Sequence, residues 1–319
     1  MSAAALQAPA FTDENTAREA MEAILWPNGP VCPHCGSLEK LGKVEGKSAR
    51  PGLYYCGACK SQFTVTVGTI FERSKVPLSK WWFAIHLLAS SKKGFSSHQL
   101  MRSIGVSYQT AWFMTHRIRE AMASGALPPM GGEGSIVEID ETFVGRKEGT
   151  EVRRGTAHKN VVLTLVERGG SARSFHVDST RKEDVLPIVR ANIVREARVM
   201  TDEAIQYAKL GDEFTQHDAV DHGRAEYGYT ERKTGVKVNT NTVEGYYSIF
   251  KRGMKGVYQH CAEKHLHRYV AEFDFRYNNR SALGVEDQER AGKALSGIVG
   301  KRLTYRRLDE SETLASSMV

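Results

Sequence analysis

The chain has 319 residues, 41% of them hydrophobic and 25% charged. One ordinary domain needs roughly 100–200 residues, so two or three domains are expected, and the composition excludes wholesale disorder. No run of about 18 apolar residues occurs, which excludes a membrane-spanning helix and a membrane partner. The first ten residues hold no Lys or Arg and make a poor signal peptide, so a cytoplasmic location is expected. The net charge is +7, and residues 31–135 alone carry +8. A basic module beside a nearly neutral one points to a polyanion partner.

Residues 1–30 are expected to hold one short amphipathic helix, over 13–25. Thr12 can cap it, and Ala17, Met21, Ile24 and Leu25 form its apolar stripe. Residues 31–76 carry two C-x2-C pairs, Cys32/Cys35 and Cys56/Cys59, separated by 20 residues. This is the spacing of a closed four-thiolate zinc site, so a structural Zn²⁺ is expected. Leu53-Tyr54-Tyr55 and Gln62–Val67 suit the short strands of a zinc ribbon. Cys261 has no partner in this pattern and reads as a small buried hydrophobe.

Residues 77–123 turn helical. Trp82, Ile85, His86 and Ala89 recur at helical spacing. A helix over about Ser97–Ser103 ends at Ile104-Gly105-Val106, and another starts at Ser107 and runs to about Ala123. This is the shape of a helix-turn-helix, with Tyr108, Gln109, Arg117 and Arg119 as candidate DNA-binding residues. Residues 124–135, rich in Gly and Pro, read as a linker.

Residues 136–280 read as the third domain. Ile136–Val144 alternates, with Val137, Ile139 and Phe143 on one face and Glu138, Asp140 and Thr142 on the other. Asn160–Val166 is apolar throughout, as a central strand would be. A strand near Arg173–Val177, a helix over Lys182–Ile193 and a strand ending at Asp202 follow. Strand, strand, strand, helix, strand is the order of a ribonuclease-H-like mixed sheet. The whole is therefore expected to be multidomain α+β. Residues 281–319 are expected to form a C-terminal tail.

Three acids stand out: Asp140 in mid-strand, Asp202 at a strand's C-terminal end, and Glu244 in a helix over about Thr242–Met254. A two-metal phosphoryl-transfer site using Mg²⁺ or Mn²⁺ needs such a carboxylate cluster. On spacing alone the trio is one of many in a chain with 37 acids. Lys251 lies seven residues after Glu244, about 20° away around the helix, so one face offers a metal ligand and a phosphate-binding lysine. Arg252 adds a second candidate DNA contact. His217 and His222 precede the third acid, and His222 is held as an active-site neighbour.

Several motifs stand in order along the chain. They are Leu25-Trp26-Pro27-Asn28-Gly29 before the first cysteine pair, Thr69-Ile70-Phe71, Glu138–Gly145, Met200-Thr201-Asp202 and Asn241–Gly245. Lys251-Arg252-Gly253 and Phe275-Arg276-Tyr277-Asn278 complete the set. Through them the chain resembles, over residues 12–307, the zinc-ribbon DDE transposases of bacterial insertion sequences, the ISXO-like group. The resemblance implies a catalytic triad of Asp140, Asp202 and Glu244, with Lys251 as the lysine after the third acid. It implies an enzyme that binds terminal inverted repeats, cuts the element ends and joins the 3′-hydroxyl to target DNA. Double-stranded DNA, a homodimer or higher oligomer in the synaptic complex, and a nucleoid-associated location follow from it. Two departures stand in this sequence: Gly145-Arg146-Lys147, where a second Gly is expected, and a short 146–159 stretch where relatives have a longer basic loop. Two alternatives remain on the residues alone. One is a ribonuclease-H-like nuclease without joining, and the other a non-catalytic DNA-binding regulator.

Overall fold

The computed structural model describes residues 8–220, 228–301 and 303. The chain forms two compact units. One comprises the chain up to Ser91, Phe95–Ala123 and the chain from Glu286, and the other Lys92–Gly94 and Ser124–Val285.

The first unit begins with α1 (Glu14–Leu25). Its cap is Asp13 rather than Thr12, because the Asp13 carboxylate accepts from the Thr16 N–H at 2.7 Å. Ala17 and Met21 of the expected stripe are fully buried. A three-stranded antiparallel sheet follows: β1 (Leu41–Lys43), β2 (Tyr54–Cys56) and β3 (Ser61–Phe63). β3 is shorter than expected because the chain turns at Thr64–Val67. Helix α2 (Leu78–Ser90) starts after Pro77, which has no side-chain donor or acceptor to cap it. The Glu14 carboxylate does so instead, accepting from the Leu78 and Ser79 N–H groups at 2.9 and 3.1 Å.

Helices α3 (Ser97–Ile104) and α4 (Tyr108–Met122) are set by local signals. Ser96 and Gln99 form a capping box, Gly105 ends α3 at φ 62°, and Ser107 caps α4. The stretch 281–319 is not a tail throughout. It contains α8 (Asp287–Ser296), which packs on α2, with Ala294, Leu295 and Ile298 fully buried.

The second unit is built on a five-stranded mixed sheet: β4 (Ile136–Val144), β5 (Asn160–Glu167), β6 (Ala172–Val177), β7 (Arg198–Asp202) and β8 (Gln216–Val220). The strand order is β6-β5-β4-β7-β8. β4, β5 and β6 pair antiparallel, while β7 and β8 run parallel to β4. β5 is buried on both faces, as its apolar run implies. Leu163 and Leu165 pack on one side with Val185 and Val189 of α5 (Lys182–Asn192). Val162 and Val166 pack on the other with Val243, Tyr247 and Phe250 of α6 (Asn241–Gly253) and Phe273 of α7 (Leu266–Asn278).

A small hairpin, β9 (Tyr229–Thr230) and β10 (Lys237–Val238), precedes α6. The second half of the expected linker is fixed to this unit. Met130 is buried, and its N–H donates to Asn192 O at 2.7 Å. Asn278 reaches the edge strand, where its amide exchanges two hydrogen bonds with the Ala172 backbone.

Candidate active site and metal sites

The zinc candidates meet as expected. The Sγ atoms of Cys32, Cys35, Cys56 and Cys59 lie within 4.8 Å of one another. Cys32 and Cys59 are 3.6 Å apart, and Cys35 and Cys56 3.7 Å. Four thiolates held tetrahedrally at about 2.3 Å from Zn²⁺ put their sulfurs about 3.8 Å apart. The donor set therefore fits zinc and leaves no open coordination position.

The acids come from three elements of the second unit. Alternation along β4 turns Asp140 to the face that carries α6, and the Tyr247 hydroxyl donates to the Asp140 carbonyl at 2.5 Å. Glu138 pairs with Met200 in the parallel β4–β7 ladder, so two residues further along lie Asp140 and Asp202. Glu244 stands in the first turn of α6, where the Thr240 hydroxyl donates to its Oε1 at 3.1 Å.

Burial pushes the Asp140 carboxyl up to about 7. The Glu141 N–H, 2.7 Å from Oδ1, opposes the shift, while the charges of Glu141, Asp202 and Glu244 add to it. The three expected acids thus share one electrostatic neighbourhood. Their oxygens do not reach the 4.8 Å mutual spacing of the cysteine sulfurs among the described residues.

Two further carboxylates belong to this region, and the sequence reading gave neither a role. Glu141 is pushed up to about 6, chiefly by burial. The Gln206 amide, donating at 3.1 Å, acts against that shift. Glu138 is fully buried and takes four hydrogen bonds, from Arg168, from the Thr242 backbone and hydroxyl, and from the Val243 backbone. Its only signal in the sequence was an acid two residues before Asp140 on the same strand face.

Lys251 and Arg252 are exposed on α6. With Ser248, Lys255 and Gly256 they line an open groove of about 500 Å³. The Lys251 ammonium lies 5.8 Å from the centroid of the Tyr247 ring. Helix α6 runs on into a π-helical turn, Met254–Tyr258, which supplies Lys255 and Gly256. His217 is not part of the acid group; its Nε2 meets the Thr201 hydroxyl at 2.9 Å. His222 lies outside the described residues.

In the first unit, Tyr108 and Gln109 are exposed at the start of α4, and Tyr108 stacks on His98 with ring centroids 4.4 Å apart. Arg117 and Arg119 are not on that exposed face. Residues 114–119 are all buried, because the C-terminal half of α4 is enclosed on every side. Arg117 donates to the Ile70 and Glu72 carbonyls at 2.5 and 3.2 Å, and Arg119 is 1% exposed. Both arginines therefore leave the set of candidate DNA contacts.

Residues 12–62 match the transposase zinc-ribbon domain, and residues 131–278 the ISXO2-like transposase domain. Over 286 residues the chain is 29% identical to an uncharacterized protein in transposable element ISH50 of Halobacterium salinarum. The alignment covers 83% of this chain and 91% of that protein.

Proposed function

We propose that the chain, in which a match to a transposase zinc ribbon precedes a match to an ISXO2-like transposase domain, is an ISXO2-like transposase that cuts and joins DNA at the ends of an insertion sequence. The observation that carries this reading is the placement of Asp140 and Asp202 on the adjacent parallel strands β4 and β7, with Glu244 in the first turn of the helix that packs on the Asp140 face. Two strands and one helix supply the three acids. The strand order β6-β5-β4-β7-β8, with only the last two strands parallel to β4, supports a ribonuclease-H-like catalytic domain.

Asp140, Asp202 and Glu244 would hold Mg²⁺ or Mn²⁺. Such ions activate the attacking oxygen and neutralise charge on the leaving one. Hard oxygen donors suit these ions, and the exposed Glu244 beside two half-buried aspartates leaves room for DNA. Lys251 and Arg252, further along α6, hold the phosphodiester as point charge and fork. The same residues serve two successive displacements at phosphorus. The first frees a 3′-hydroxyl at the element end, and the second directs it at target DNA.

The helix pair α3–α4 is read as the helix-turn-helix. Tyr108 and Gln109 face the inverted repeat, and the basic 31–135 segment contacts phosphates. The zinc ribbon is structural. Joining two ends in one synaptic complex calls for at least a dimer. The protein would act at the nucleoid of a bacterial cytoplasm.

Asp140→Asn tests the reading with Mg²⁺ and end-containing DNA. Cleavage and the joining of pre-cut ends should both fall at least about a thousandfold, with end binding within about twofold of wild type. Cleavage at the wild-type rate would remove Asp140 from the site.

A further inference from the structure

We propose that Glu138 is a positioning residue that fixes Glu244 relative to Asp140, a role that rests on the metal-site reading of those two acids. Glu138 and Asp140 are two residues apart on one face of β4, so their side chains rise side by side, about 7 Å apart. Asp140 is left for chemistry, while Glu138 is completely consumed by hydrogen bonds. Its Oε1 accepts from Arg168 Nε at 2.6 Å and the Thr242 hydroxyl at 2.8 Å. Its Oε2 accepts from the Thr242 and Val243 N–H groups at 2.7 and 2.9 Å. A fully buried carboxylate with both oxygens doubly engaged has no lone pair free for a metal, so Glu138 is not a fourth ligand.

Its bonds do something else. Helix α6 has Thr240 at its N-cap, and the Thr240 side chain does not cap it. The orphan N–H groups of the first turn are met instead by Glu138, 104 residues earlier in the chain. Glu244 follows one residue after the capped Val243.

The clamp extends through Arg168, which follows β5. Its guanidinium also donates to the Lys237 carbonyl at 2.6 Å and to the Asn239 carbonyl and side-chain oxygen at 2.8 and 3.0 Å. Asn239 Oδ1 in turn accepts from the Asn241 N–H at 3.2 Å. The segment 237–243 that delivers Glu244 is thereby bound to the Asp140 strand by the buried Glu138 carboxylate and its half-buried partner Arg168. Metal-dependent displacement is sensitive to ligand placement on a sub-ångström scale, so loosening this clamp should weaken metal binding while every ligand remains.

The test uses full-length, zinc-loaded protein and Mn²⁺ alone as the probe, with binding followed by electron paramagnetic resonance. Hydrogen exchange is read at the Thr242 and Val243 amides. Four variants are compared: Glu138→Gln, Arg168→Lys, Asp140→Asn, and Val185→Ala as a stability-matched cavity control on the other side of the sheet. Glu138→Gln should weaken Mn²⁺ binding about tenfold and speed exchange at both amides. Arg168→Lys keeps the charge but loses the fork, and should shift both readouts the same way by about threefold. It also keeps the test open if Glu138→Gln does not fold. Val185→Ala should lower the thermal midpoint without moving either readout.

If Glu138→Gln and Arg168→Lys bind Mn²⁺ as tightly as wild type while Asp140→Asn does not, the positioning role is wrong and the metal site stands. If both variants match Val185→Ala, Glu138 only stabilises the fold, and the positioning role is likewise wrong. If Asp140→Asn binds Mn²⁺ like wild type, the metal-site reading fails and the positioning role fails with it.

Discussion

His217 shows how a single side chain ties this protein to pH. Its Nε2 meets the Thr201 hydroxyl beside Asp202, and burial holds its pKa below the ordinary value, with Asp218 opposing. Burial lowers His86 and His176 in the same way. In the unfolded chain these imidazoles take up protons near pH 6.5. At these groups the unfolded state therefore binds more protons just below that pH, and their contribution to stability falls as pH falls through about 6.5. Asp140 and Glu141, pushed up to about 7 and 6, act in the opposite sense over the same window, because the folded state holds their protons. In His217→Gln the thermal midpoint at pH 5.5, taken relative to pH 7.5, should therefore lie about 2 °C higher than in wild type. An identical change in wild type and variant would assign the titration to other groups. At this scale the candidate site was partly legible. Asp140, Asp202 and Glu244 could be named because strand alternation, a strand end and a helix face are local patterns. The role of Glu138 was not, since its partners lie 30 and 104 residues away and no local pattern links them. Arg117 and Arg119 misled for a related reason: a helix wheel shows which residues share a face, but not that α4 is enclosed on every face at that level.

Among the elements, the zinc ribbon has little hydrophobic support. Its strands are three residues each, and its core is Cys32, Cys56 and Phe63 with Trp26 and Tyr54 packed around them. Such a core is too small to balance the conformational entropy of ordering residues 31–63, whereas zinc–thiolate binding contributes on the order of 10 kcal/mol. One Zn²⁺ per chain should be released by a thiol-modifying reagent and counted with a colorimetric chelator. Cys56→Ser should lose the metal and weaken end-DNA binding at least about tenfold, while Mn²⁺ binding at the acid site persists. A zinc-free wild-type protein with four reactive thiols and normal DNA binding would exclude this. Element boundaries followed the same division between local and distant causes. The ends of α3 and α4 could be read because Ser96, Gln99, Gly105 and Ser107 are the caps themselves. The start of α2 could not, because its cap is Glu14, 64 residues earlier than Leu78.

For the molecule as a whole, the chain leaves the first unit at Ala123, builds the second, and returns at Glu286. The returning segment is polar enough to read as a tail: α8 has the sequence DQERAGKALS, and only its small apolar face is useful for packing. That face is fully used. Ala294, Leu295 and Ile298 are completely buried, Ala291 nearly so, and the Arg290 guanidinium donates to the Ala89 carbonyl that ends α2. Beyond α8, the Gly300 N–H donates to Gly68 O at 2.9 Å, and Thr69 pairs with Val299, so the returning chain also fixes the segment after the ribbon. Burying these four side chains contributes about 5 kcal/mol, a large share of the 5–15 kcal/mol that holds a typical domain folded. Deleting residues 286–319 should therefore destabilise the N-terminal unit and leave the five-stranded sheet of the second unit intact. Calorimetry of the full chain and the truncated chain separates the outcomes. The transition lost on zinc removal should fall by more than about 10 °C in the truncated chain, with the other transition unmoved. End-DNA binding should be lost and Mn²⁺ binding retained. Should the zinc-dependent transition stay where it is, α8 would be a passenger on the N-terminal unit rather than a part of its core.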